Sequence, residues 1–247
     1  MVHVALVQSA SVPGDLAGNV ERHAAWIGQA AARGARLVGY PELSLTGYEL
    51  DRVAADPALT LTSDDPRLAP LREACAATGA TAIVGAPTML DGRRRLAALV
   101  VDGEHIRVYA KRRLFGRETD VFTPGTTPLV VSVGDSRIAV GVCADLGSQE
   151  QVREAATLDA DAWLLGSLVS AEGYELEARQ AASASTLLGG VVAFANHAAP
   201  TGGWAPAGRS GAWDRGTLLA AADGRDETIV LFDLSAPALR RPPVRHG

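Results

Sequence analysis

The chain has 247 residues, of which 47% are apolar, and carries a formal net charge of −5. That length suits one larger domain as well as two small ones and allows a sizeable buried core. The acidic balance, with basic residues gathered only in the short runs Arg93-Arg94-Arg95 and Lys111-Arg112-Arg113, excludes the clustered basic face of a nucleic-acid binder.

In chain order, Val4 to Val7 reads as a buried strand, and the segment from Met1 lacks the basic n-region and long apolar stretch of a signal peptide. Asp15 offers an N-cap, followed at helical spacing by Leu16, Val20, Ala24, Ile27 and Ala31, with Gly34 as the stop. Leu37 to Tyr40 predicts a strand ending at Pro41-Glu42. Pro66 to Ala77 predicts a helix closed by Gly79, and Thr81 to Gly85 another strand. Leu96 to Val101 and His105 to Tyr109 flank Asp102-Gly103, a hairpin signal because glycine tolerates positive φ.

Pro128 to Val133 and Arg137 to Cys143 form a second predicted pair around Gly134-Asp135. Ser148 to Gln151 has the pattern of a capping box opening a helix that runs through Leu158. Trp163 to Leu165 then predicts a strand, Glu172 to Leu188 a helix and Val191 to Ala195 a strand. Thr217 to Ala222 and Thr228 to Phe232 predict a last hairpin around Asp223-Gly224. The tail from Pro237 onward, rich in Pro and Arg, is expected to be extended. Arg93 to Arg95 reads as a solvated turn.

No linker or repeat divides the chain, so the expectation is one α/β domain over 1–247, with its core at about 3–234 and a tail at 235–247. Asp-Gly hairpins demand antiparallel pairs, which a purely parallel sheet lacks. The most apolar later segment, Leu187 to Ala195, is too short to span a bilayer. Two cysteines imply no disulfide framework, and a cytoplasmic location is expected. The five histidines stand singly, so no metal site is expected, nor any cofactor.

Three separated phrases carry the chemistry: Pro41-Glu42-Leu43 through Gly47-Tyr48, then Tyr109-Ala110-Lys111 with Glu118 behind it, then Gly141-Val142-Cys143-Ala144-Asp145. A thiol is nucleophilic only as thiolate, and its reference pKa of ~8.5 leaves it mostly protonated at neutral pH. A base to take the proton and a fixed cation to hold developing negative charge correct both problems. Glu42 and Lys111 are the candidates. Taken singly, each residue has an ordinary reading: a buried structural cysteine, a loop carboxylate, an exposed lysine. Cys75, on the apolar face of a helix, is read as structural.

Together the phrases resemble the nitrilase superfamily of carbon–nitrogen hydrolases. The lysine phrase continues through Leu114, Glu118, Phe122 and Pro124-Gly125, and the cysteine phrase through Glu150 and Arg153. Further matches at Arg179, Ala195-Asn196 and Ser210 to Gly216 extend the resemblance from Val4 to about Leu234. It implies an αββα sandwich with mixed sheets that hydrolyses non-peptide C–N bonds without metal or organic cofactor. It further implies Glu42 as general base, Lys111 as oxyanion stabiliser, Cys143 as nucleophile and Glu118 as accessory acid. Asp145, Glu150 and Arg153 are expected to support the cysteine loop, with a Glu150–Arg153 ion pair possible at this spacing.

The resemblance makes a small amide or carbamoyl compound the expected substrate. Tyr48, Ala144, Ser167 and Leu168 are the expected substrate-binding residues, with Trp204 as a further pocket candidate. The resemblance also implies a homodimer or higher homo-oligomer. Ala144, Gly147-Ser148-Gln149 and Arg113 stand where relatives often carry an aromatic residue, Arg-Phe-Pro and His, so the nucleophile's loop is altered. Three other readings remain open: acyl transfer to an amine at the same site, a papain-like pairing of Cys143 with His197, and a non-catalytic scaffold.

Overall fold

A computed structural model describes residues 1–234. The expected extended tail at 235–247 lies outside the described residues. The chain opens with β1 (Val2–Gln8), α1 (Leu16–Ala32), β2 (Leu37–Gly39), a short α2 (Leu50–Ala55), α3 (Ala69–Thr78), β3 (Thr81–Leu90), β4 (Arg93–Val101) and β5 (Ile106–Ala110). It continues through a one-turn α4 (Glu118–Val121), β6 (Val130–Val133), β7 (Ser136–Val142), a 3₁₀ turn at Cys143–Gly147 and α5 (Gln149–Thr157). The described part closes with β8 (Ala162–Gly166), α6 (Tyr174–Leu188), β9 (Val191–Ala195), β10 (Gly211–Asp214), β11 (Thr217–Ala221) and β12 (Thr228–Leu234).

Two six-stranded sheets form, in the orders β12-β1-β2-β3-β4-β5 and β11-β10-β9-β8-β7-β6. Each has a parallel centre, β1-β2-β3 in one and β7-β8-β9 in the other, flanked by antiparallel strands. The sheets face one another, and helices cover the outer faces, giving the expected αββα sandwich. Side-chain alternation in β8 shows why. Ala162 and Leu164 join the core between the sheets, whereas Trp163 and Leu165 join a second cluster with Phe194, Trp213 and the apolar faces of α5 and α6. A strand apolar on both faces must be covered on both, which calls for helix outside and sheet inside.

Three expectations are corrected. The last predicted hairpin does not exist. β11 pairs with β10 about the Arg215-Gly216 turn, whose φ values are 45° and 89°, while β12 crosses to the other sheet and pairs with β1. The Asp223-Gly224 segment is that crossover, held by Gln8, whose Nε2 donates to Gly224 O and Asp226 O at 2.8 Å each.

The arginine run is strand, not turn. The hairpin turn is Asp91-Gly92, both at positive φ, so Arg93 to Arg95 pair with Leu90, Met89 and Thr88 in a longer β3–β4 ladder. Third, only half of the capping box forms. Ser148 Oγ accepts from Gln151 N at 3.3 Å, but the Gln151 side chain turns instead to Asp145 and Tyr109.

Candidate active site

The strand ends bring the predicted groups together. β2 runs into Pro41-Glu42, β5 into Lys111, β7 into Cys143 and β8 into Ser167 to Ser170. C-terminal strand ends in α/β sheets leave backbone and side chains free to line a site. Glu42 sits on a loop squeezed between the two sheets. A Cβ on Gly85 of β3 would lie 2.3 Å from Leu43 N, and one on Gly166 of β8 would lie 2.7 Å from Tyr40 O. Only glycine fits at either place, so one residue from each sheet forms the slot. The base of that loop is tied by Glu42 N to Ser167 O at 3.4 Å and by His197 Nε2 to Glu42 O at 2.8 Å.

Lys111 Nζ, fully buried, donates to Glu42 Oε1 at 2.6 Å and to Glu118 Oε1 at 2.7 Å. Glu118 is fixed further by the Tyr48 hydroxyl on Oε1 at 2.7 Å and by Phe115 N on Oε2 at 2.8 Å. Lys111 itself is held by Lys111 N on Leu96 O and by Gly125 N on Lys111 O, both at 2.8 Å. Two carboxylates therefore share one ammonium. Burial pushes the Glu42 carboxyl up to about 8, and Glu118's charge adds to that, against the downward pull of Lys111. Burial acts to lower Lys111, but Glu42, Cys143 and Glu118 outweigh it and keep the ammonium charged beyond the ordinary lysine range. The two shifts have different origins: burial raises Glu42, whereas the neighbouring acids raise Lys111 against its burial.

Cys143 opens the 3₁₀ turn directly after β7, with φ at 43°. A left-handed conformation is unusual for a residue with a Cβ, and it turns the thiol out of the strand. Sγ approaches Leu168 O at 3.7 Å. It lies close enough to Glu42 to bias that group's ionisation, while Glu42 Oε2 is buried with no hydrogen-bond partner among the described residues. Burial and then the Glu42 charge push the thiol well above its ordinary value, with Lys111 pulling the other way. A base beside it is what such a thiol requires.

The turn is braced by Asp145, fully buried. Its Oδ2 accepts from Tyr109 OH at 2.8 Å and Val142 N at 3.1 Å; its Oδ1 accepts from Arg113 N at 2.8 Å and from Arg112 N and Gln151 Nε2 at 3.2 Å. One carboxylate thus ties the Cys143 turn to the residues following Lys111. Glu150 and Arg153 do not share this work. Both are exposed on α5, and Arg153 Nη2 donates to Gln149 Oε1 at 3.1 Å rather than pairing with Glu150.

A cavity of about 160 Å³ opens over these groups, the liquid volume of about five waters. Glu42, Tyr48, Glu118, Cys143, Ala144 and Leu168 line it. Trp204 lines it too, as does Phe115 from the end of the lysine phrase, together with Val169, Ser170 and Glu177, which the motifs do not single out. Ser167 does not. Its side chain is buried, and its backbone instead serves the Glu42 loop and accepts no place in the wall. Asn196 holds the wall strand, donating from Nδ2 to Val169 O and accepting from Val169 N on Oδ1, each at 2.9 Å. His197, the alternative base, is committed to Glu42 O, and burial lowers its imidazole to about 4. An outer vestibule of about 600 Å³ shares Tyr48, Phe115 and Trp204 with the inner cavity and continues to Arg52 and Arg117.

The family model described as "Carbon-nitrogen hydrolase" matches residues 3–241. Among solved structures, a cysteine-to-alanine mutant of the amidase from Nesterenkonia sp. AN1 in complex with butyramide superposes with a TM-score of 0.86 at 25% identity, covering 94% of this chain and 90% of that one. A further cysteine-to-alanine mutant of that amidase, described as from the nitrilase superfamily, gives 0.85 at 26% identity over the same shares of the two chains. A glutamate-to-glutamine mutant showing covalent addition of the acetamide moiety of fluoroacetamide at the active site cysteine gives 0.85 at 25%, again with 94% and 90% covered. In sequence, the chain is 28% identical over 179 residues to a glutamine-dependent NAD(+) synthetase of Thermotoga maritima. That match covers 71% of this chain but spans only 31% of the synthetase's length.

Proposed function

The chain belongs to the carbon–nitrogen hydrolase family, and from that premise we propose that it hydrolyses a small non-peptide amide through a thioester on Cys143. The observation that carries this reading is the buried Glu42–Lys111–Glu118 chain of hydrogen bonds abutting the Cys143 thiol at the floor of one small cavity. The solved amidase with butyramide, at a comparable fold and 25% identity, supports an amide as the substrate class.

Glu42 takes the thiol proton while Sγ bonds to the amide carbon, and the carbonyl π electrons move to oxygen. An ammonium has three donors. Lys111 commits two to Glu42 and Glu118, so the third is available to the oxyanion. The N–H of Ala144, in the first turn after the nucleophile, supplies a second donor. One such preorganised donor is typically worth ~3 kcal/mol in the transition state. Protonated Glu42 returns its proton to the leaving nitrogen, the C–N bond breaks and ammonia or an amine departs. Glu42 then deprotonates a water that attacks the thioester, releasing the acid and restoring the thiol. Glu118 acts as a positioning residue: its own bonds to Tyr48 and Phe115 aim Lys111.

Ammonia release from butyramide, with intact-mass detection of an acyl adduct, tests the reading. Cys143→Ala and Glu42→Gln are each expected to abolish release, and His197→Ala to retain the adduct. Turnover surviving in Cys143→Ala overturns the nucleophile, and an adduct lost in His197→Ala but kept in Glu42→Gln restores the papain-like pairing. Hydroxamate formed with added hydroxylamine at the expense of acid assigns acyl transfer instead of hydrolysis. A Cys143 no more reactive than Cys75 toward iodoacetamide would return the chain to a scaffold role.

A further inference from the structure

The cavity wall has a chemical bias that the hydrolytic groups do not explain. Its lining includes three carboxylates, Glu42, Glu118 and Glu177, and three aromatic rings, Tyr48, Phe115 and Trp204. No lysine or arginine side chain lines it among the described residues. Glu42 and Glu118 are neutralised from behind by Lys111. Glu177 is different. It lies half-buried on the first turns of α6, and its carboxylate makes no hydrogen bond or ion pair with any described residue.

Arg209 Nη1 pairs with Glu175 at 3.0 Å, and its guanidinium stacks 3.8 Å from the Tyr174 ring centre. Burial raises the Glu177 carboxyl, with only the through-space pull of Lys111 opposing. A carboxylate that loses hydration without gaining a partner is stabilised by any cation that reaches it. Phe115 and Trp204, exposed by 58% and 41%, line both the cavity and the vestibule, and aromatic rings attract cations.

We propose that Glu177, with the rings of Phe115 and Trp204, is the specificity-determining wall of the cavity and selects amides that carry a cationic amino group. An anionic substrate of the same length meets the unpaired Glu177 carboxylate on a wall lined by no lysine or arginine, and is rejected. Arg52 and Arg117 line the vestibule that Phe115 and Trp204 share with the cavity, and Arg117 already pairs with Asp51 at 2.5 Å. A carboxylate would have to reach into the vestibule to meet them. The inference rests on the amide-hydrolase reading for its substrate class, but it is a claim about charge.

Three amides of matched length test it: γ-aminobutyramide, pentanamide and glutaramate. Calorimetric binding to the Cys143→Ala protein is expected to favour the cation over the neutral isostere by about tenfold, with the anion weakest. Glu177→Gln in the same background is expected to erase the cation's advantage, read as a ratio so that a general loss of affinity cancels. Pentanamide binding as tightly as γ-aminobutyramide, or a preference that survives Glu177→Gln, overturns the proposal. If Glu177→Gln fails to fold, the ranking of the three amides on Cys143→Ala and on Glu177→Asp decides the matter alone. Turnover of pentanamide by the wild-type chain without cationic preference overturns this inference and leaves the hydrolase reading standing. The expected binding order with no turnover of any amide does the reverse.

Discussion

At the scale of single residues, the site is a problem of charge supply. Two buried acids share Lys111, so removing different members has opposite effects. Lys111→Met leaves two buried carboxylates facing each other with no cation and is expected to cost about 3–5 kcal/mol at pH 8. Glu42→Gln leaves one acid for one ammonium and is expected to be neutral or stabilising at that pH. The pH dependence follows from the direction of the shift. Glu42's carboxyl is raised in the fold from 4.5 to about 8, so its favourable contribution is complete below about 4.5 and is lost as pH rises through about 8. Urea unfolding at pH 5 and pH 8 checks both statements. Glu42→Gln should gain on the wild type between those values, and a loss instead contradicts the cluster's electrostatics. Catalysis runs the other way, because a base works only when ionised. The kcat/KM for an amide should rise with pH through an apparent pKa near 8, and an acid limb near 4 would remove Glu42 from the role of base.

Elements rather than residues set the geometry. The end of β7 and the loop after β5 are separate in sequence, and Asp145 joins them by accepting five hydrogen bonds from three parts of the chain. Asparagine at that position has one carbonyl oxygen and turns an NH₂ toward donors. Asp145→Asn is therefore expected to lose at least ~3 kcal/mol of stability, and kcat should fall even at temperatures where circular dichroism shows a folded chain. Unchanged kcat would mean that the turn needs no brace. The backbone at Cys143 offers a second check. Its φ of 43° suits glycine and strains any residue with a Cβ. Against the usual order, Cys143→Gly should be more stable than Cys143→Ala, by about 1 kcal/mol in denaturant unfolding. The reverse ranking would show that the turn is unstrained.

For the whole molecule, much of the fold was legible because the code is local there. Asp15 caps α1 as its position predicts, accepting from Gly18 N at 3.0 Å, and the Asp102-Gly103 signal does join β4 to β5. That Glu42, Lys111, Glu118 and Cys143 come together was legible from the motifs of the family resemblance, three of which fall at strand ends. Partner choice was not legible. Nothing local in 217–232 says that one strand stays with its neighbour β10 while the next crosses to β1; the Gln8 side chain that holds the crossover lies more than two hundred positions away. Glu177 escaped for a similar reason. With Glu172 and Glu175 it reads as ordinary acidic residues at a helix start, and only the packing of α6 against the site distinguishes it. Assembly belongs to this scale as well. The family resemblance leads us to propose a homodimer, which exposed Leu176 and Leu187 on α6 support. Light scattering at micromolar concentration checks it, and a monomer throughout would overturn it.

The glycine slot around the Glu42 loop has a mechanical meaning. Glu42 is carried by one sheet and Cys143 by the other, so the gap between them is set by whatever keeps the sheets apart. Leu164, which stands 3.0 Å from the position a Cβ on Gly39 would take, is part of that spacer, as are Leu6, Val140 and Val142. The inter-sheet core then acts as a gauge block as well as a source of stability. A methyl group trimmed from it, far from the cavity, is expected to change the separation of Glu42 and Cys143 as well as the stability of the fold.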